Sequence, residues 1–93
     1  MKSPFQTHEA VLRDGSYGAS ESLQDLVLNL WSGQGWQVDM GRLARNLDGP
    51  HWAIALELLE SYRRNAEGDP EFMAIAAELA AQRHAETDGK ARN

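Results

Sequence analysis

The sequence predicts an all-α fold: a compact bundle of four main helices plus a short N-terminal helix, containing a helix-turn-helix-like corner. Three observations carry this. Apolar residues recur with the helical period of about 3.6 residues in successive stretches of the chain. Each stretch is bounded by Ser or Asp caps, by Gly, or by Pro placed where a helix tolerates it. No run alternates apolar and polar residues well enough to be a strand, so no sheet is expected.

The domain is expected to span 7–86, with 1–6 loosely ordered and 87–93 a disordered tail. Thr7 is placed to cap a short helix over 8–13, ended by Asp14 and Gly15. A loop over 15–19 leads to Ser20, an expected N-cap, and Glu21 puts a carboxylate where the helix dipole favours it. Leu23, Leu26, Val27, Leu30 and Trp31 then share one helical face, with Leu28 off it, and Gly33 and Gly35 stop the helix. Trp36-Gln37-Val38 reads as an extended connector. Asp39 caps the next helix, whose stripe is Met40, Leu43, Ala44 and Leu47, with Arg42 and Arg45 facing out.

Asp48-Gly49-Pro50 makes the corner. In the helix that follows, Trp52, Ala55, Leu56 and Leu59 share a face, which Ile54, Leu58 and Tyr62 widen. So wide an apolar arc predicts the centre of the bundle. Glu57, Glu60, Arg63 and Arg64 form its wet side, with Glu60 and Arg64 at a favourable i,i+4 spacing. Gly68 ends it, and Asp69-Pro70 restarts the chain. Phe72, Ile75, Ala76, Leu79 and Ala80 make the last stripe.

Composition narrows function. The 93 residues suit one domain, with 14 acids against 9 Lys and Arg and a formal net charge of -5. Over 57–78 there are six acids, Glu57, Glu60, Glu67, Asp69, Glu71 and Glu78, against Arg63 and Arg64. Such a surface repels nucleic acid and anionic membranes and favours a basic protein partner, or serves solubility alone. The absence of cysteine removes disulfides, zinc-thiolate sites and thiol catalysis, and fits a cytoplasmic setting. No stretch approaches the roughly 18 apolar residues of a membrane span, and the N-terminus has no signal-peptide core.

No enzyme chemistry is visible. His8, His51 and His84 fall in separate segments, so neither a metal nor a cofactor is expected. No serine sits in a nucleophile elbow. Gly15-Ser16-Tyr17-Gly18 lacks both the third glycine of a dinucleotide loop and the Lys of a P-loop, and Asp14 and Glu21 flank it. The carboxylate pairs Glu57 with Glu60 and Asp69 with Glu71 fall on exposed helix ends with no cleft to shift their acidity. Trp31, Trp52 and Phe72 are assigned to the core. Trp36, in a loop, either folds back to seal the core or serves as a contact.

The corner itself fits helix-turn-helix spacing through Leu43, Ala44, Leu47, Gly49, Ile54, Leu58 and Leu59. Its charge weighs against DNA. The recognition positions would be His51, Trp52, Ala53 and Glu57, and the only basic candidates are Arg42, Arg45, Arg63 and Arg64.

Over 15–66 the chain resembles a family of small, functionally uncharacterised helical domains carried by bacterial plasmids and phages. The elements that carry the resemblance are Gly15-Ser16-Tyr17-Gly18-Ala19-Ser20, Leu28-Asn29-Leu30-Trp31-Ser32, Trp36-Gln37-Val38-Asp39, then Leu43 and Asp48. It implies an all-helical domain of mobile-element origin, and no activity. The expected function is a non-catalytic protein-interaction module, an accessory or inhibitor protein with candidate contacts at Trp36, Glu67, Asp69 and Glu71. A DNA-associated regulator and a homo-oligomeric structural domain, a homodimer for instance, are the alternatives.

Overall fold

The computed structural model describes residues 3–13 and 18–91. Among them are six α-helices, one 3-10 turn and no strand, so the all-α expectation holds. The helices are α1 (Pro4–Thr7), α2 (Glu9–Arg13), α3 (Gly18–Trp31), α4 (Met40–Asn46), α5 (Gly49–Asn65) and α6 (Pro70–Ala91), with the 3-10 turn Ala66–Gly68 between α5 and α6.

The start differs from expectation. Ser3, not Thr7, is the first cap: its Oγ accepts the Phe5 N–H at 3.1 Å, and Pro4 fills the first turn, where no donor is needed. Thr7 ends that turn, and α2 follows after His8. Phe5 is fully buried, its ring centroid 4.9 Å from that of Phe72. A segment expected to be loose thus supplies a large core side chain, and the packed region begins at Ser3. The predicted glycine loop lies mostly outside the described residues.

The centre of the bundle is α3, not α5. It packs against α2, α4, α5 and α6. Leu23, Leu26, Val27 and Leu28 are all buried, including the leucine off the predicted stripe. Because α3 begins at Gly18, Ser20 lies inside its first turn, not at its cap, and its hydroxyl donates to the Val11 carbonyl. Gln24 Nε2 donates to the Leu12 carbonyl at 2.7 Å, and Arg83 of α6 reaches Asp25 at 2.5 Å and Gln24 at 3.2 Å. Small or satisfied polar groups let neighbours approach α3 closely without stranding a donor.

The caps of α4 and α5 are as predicted. Asp39 accepts the Arg42 N–H at 3.1 Å and Asp48 the His51 N–H at 3.0 Å. The stripes are narrower than predicted. On α4, only Leu43 is buried, joined by Leu47 just past its end, while Met40 and Ala44 are exposed. On α5, Ala55 and Leu58 are buried, Ile54, Leu59 and Tyr62 partly so, and Trp52 and Leu56 face outward. The reason is one-sided cover: both arms of the corner rest on α3, with α1 beside α5.

Asp69 restarts the chain as predicted, accepting the N–H groups of Glu71 at 3.0 Å and Phe72 at 3.4 Å. The whole predicted stripe of α6 is buried. The backbone of α6 runs to Ala91, past the expected start of the tail at 87. Ala66, at the end of α5, is the one non-glycine residue with positive φ among the described residues (φ 45°, ψ -132°).

Candidate functional site

The outward face of α5 is the candidate site. Trp52 is 37% and Leu56 50% exposed, one helical turn apart. Their face continues into an open groove of about 770 Å³. Leu56, Ser61 and Asn65 of α5 line one side, and Ser3 and Pro4 another. Asp69 also lines it, and Glu57, Glu60 and Arg64 give it charge. The groove exists because Ser3 and Pro4, held by the buried Phe5, lie beside the end of α5 where the chain turns into α6.

Its charges are unequally engaged. Glu57 is bonded to His8 Nε2 at 2.6 Å. Glu60 receives Arg63 at 2.7 and 3.0 Å and Arg64 at 3.0 Å. The Arg63 hydrogen bonds, then that of Arg64, hold the Glu60 carboxyl down at about 2 from its ordinary 4.5. The same bond raises Arg63. At the other end of α5, the His51 N–H and then its ring hold Asp48 below its ordinary value. Asp69 is different. It is only 7% exposed, one oxygen caps α6, and its Oδ2 accepts no hydrogen bond.

The residues singled out from sequence are not brought together. Trp36 is half-buried, its ring edge-on to His84 at 5.4 Å and its carbonyl accepting from Asn29 at 2.8 Å. That contact lies about 20 Å along α6 from Asp69, at roughly 1.5 Å per residue. Of the acidic turn, Glu67 is exposed, Glu71 half-buried and Asp69 buried. Arg42 lies with Asp25 and Asp39 around a small pocket of about 160 Å³, and Arg45 is exposed. Arg63 and Arg64 both spend hydrogen bonds on Glu60.

Sequence reasoning missed Ser3, Pro4, Trp52 and Leu56. One signal was present: Trp52, Leu56 and Glu60 form an i,i+4 line distinct from the line through Ala55, Leu58 and Tyr62. Among the described residues, no group of three or more His, Asp or Glu could hold a metal ion. No helix among them is long and apolar enough to cross a membrane. No family model matches the chain, and neither the curated proteins nor the solved structures give a significant match.

Proposed function

We propose that the chain is a non-catalytic interaction module that docks a basic protein partner on the outward face of α5. The observation that supports this reading is the exposed Trp52–Leu56 pair beside a groove carrying Glu57, Glu60 and Asp69. An apolar centre flanked by charge is the usual anatomy of a protein-binding patch, and Trp is enriched at its energetic centre. The acidic flank favours a basic surface and disfavours phosphate. The resemblance over 15–66 extends this to a cytoplasmic accessory or inhibitor protein of a mobile element, covering a basic surface that otherwise meets nucleic acid. The regulator alternative has less support, since Arg63 and Arg64 are committed to Glu60 and Arg42 neighbours two aspartates.

A homodimer is the second reading, favoured by one observation. Trp52 and Leu56 form an exposed apolar pair on α5 that a second copy of the same helix would cover. One experiment separates the two. A photo-reactive residue replacing Leu56 is compared with one replacing Ala81, exposed on α6. The docking reading expects an adduct with a basic protein from position 56 alone. Identical adducts from both positions, or none from 56, overturn it. An adduct of twice the chain's own mass moves the assignment to the homodimer.

A further inference from the structure

We propose that a basic amphipathic helix lies along α5, its apolar stripe on Trp52 and Leu56 and a lysine or arginine on Glu57, an inference that rests on the docking reading above and specifies its partner. Residues four apart on a helix stand one above the other. Trp52 and Leu56 therefore make one column on α5, and Ala53 and Glu57 the column beside it. All four are exposed. Ala53 is the small member, so a second helix can approach closely there. The footprint is two columns wide and runs along the helix axis, as a helix laid on α5 requires. Among the described residues there is no strand for a peptide to extend, so main-chain addition to a sheet is not the mode.

Charge selects the occupant. Of the three acids lining the groove, Asp69 is buried, and both oxygens of Glu60 are bonded to arginines. Glu57 is the reachable one. Its side chain is 55% exposed, and His8 bonds to its Oε2. A carboxylate offers about four lone-pair sites, so one imidazole leaves room for a further donor. An ammonium or guanidinium group supplies both that bond and the opposite charge. Pro4, on the facing wall, offers apolar contact to the methylene stem of such a side chain. A second copy of the chain would bring the same Glu57 and a further net charge of -5, whereas a basic helix brings the complementary sign. The occupant is therefore a helix with leucine-type residues on one face and a Lys or Arg at the edge of that face.

The probe is a fluorescently labelled Leu/Lys amphipathic peptide as long as α5, with a Leu/Glu peptide as control. Binding is read by anisotropy at physiological salt, which screens unspecific attraction. Wild-type protein is expected to bind the Leu/Lys peptide only. Glu57→Lys and Glu67→Lys make the same change in net charge, and Glu67 is exposed but does not line the groove. Glu57→Lys is expected to weaken binding about tenfold or more, and Glu67→Lys less than about threefold. Ala53→Gln adds bulk without charge and is expected to weaken it about fivefold or more. Gln is a good helix former at an exposed position, so this variant keeps the test open if Glu57→Lys does not fold. Equal losses from the two charge reversals, or wild-type binding by Ala53→Gln, overturn the footprint and leave the docking reading standing. Absence of peptide binding, or equal binding of the Leu/Glu peptide, overturns the basic helix as occupant, while cross-linking from position 56 decides the docking reading independently. A dimer in solution that Leu56→Lys converts to monomer also overturns it, because a second copy then covers α5.

Discussion

At the residue scale, Ala66 shows how the turn between α5 and α6 is made. Its φ of 45° with ψ of -132° is a conformation that glycine reaches freely and an L side chain rarely adopts. Ala66→Gly is expected to stabilise the protein by about 1 kcal/mol, strain relief exceeding the extra freedom of the unfolded chain. A urea titration reads this as a higher midpoint at unchanged slope; a lower midpoint would show that Ala66 is not strained. Nothing in the local sequence announces it, since Gly68, two residues on, is the expected breaker. Asp69 was legible as a cap from the Asp-Pro pair alone. That its second oxygen is buried was not, because burial depends on packing with segments distant in the chain, such as α1 against α6.

At the scale of elements, α5 is where the sequence pattern and the structure part company. Periodicity identifies apolar residues on a helix but not which of them a neighbour covers. Trp52, Leu56, Leu58 and Leu59 read as one broad arc, yet α1 and α3 cover only the side holding Ala55 and Leu58. Two substitutions separate these faces. Leu58→Ala is expected to cost about 2–5 kcal/mol through lost burial and a cavity. Leu56→Lys is expected to change stability by no more than about 0.5 kcal/mol. Thermal or chemical unfolding measures both; equal losses would return Leu56 to the core. The converse error concerns α3. The wide arc of α5 pointed to it as the centre, yet on α3 Ser20, Ser22 and Gln24 are buried as well as the leucines, and α2 and α6 close over it. The caps at Asp39, Asp48 and Asp69 were legible because they are local: each accepts from an N–H two or three residues ahead.

At the scale of the whole molecule, charge sets the response to acid. Glu60 titrates at about 2 when folded against an ordinary 4.5. Between those values the unfolded chain binds the proton first, so stability falls with pH there. The contribution is fully present above about 4.5 and lost as pH approaches 2. Asp48, also lowered from its ordinary 3.8, acts in the same direction. Arg63 is raised above its ordinary value by its bond to Glu60, a gain that does not change with pH near neutrality. Water and salt screen all three groups, which are exposed, so the effect is modest. Glu60→Gln is expected to flatten the decline of the unfolding midpoint between pH 4.5 and 2 and to leave its slope near neutrality unchanged. An undiminished decline in the variant would assign the acid response elsewhere. The fold class was legible at this scale because helix periods and caps are written within each segment. The groove was not, because it forms where the second half of α5 and Asp69 meet Ser3 and Pro4, a segment far away in sequence and expected to be loose.

The position of Phe5 has one practical consequence. It draws Ser3 and Pro4 to the end of the bundle where α5 turns into α6, against the groove. The 22 residues of α6 then carry the chain roughly 30 Å away, at about 1.5 Å per residue, along a molecule 44 Å long. A tag or reporter joined ahead of Ser3 emerges at the rim of the groove and competes for it. One joined after Ala91 leaves from the opposite pole. Affinity measurements made with the two fusions should therefore disagree, and the C-terminal fusion is the one that reports on the open surface.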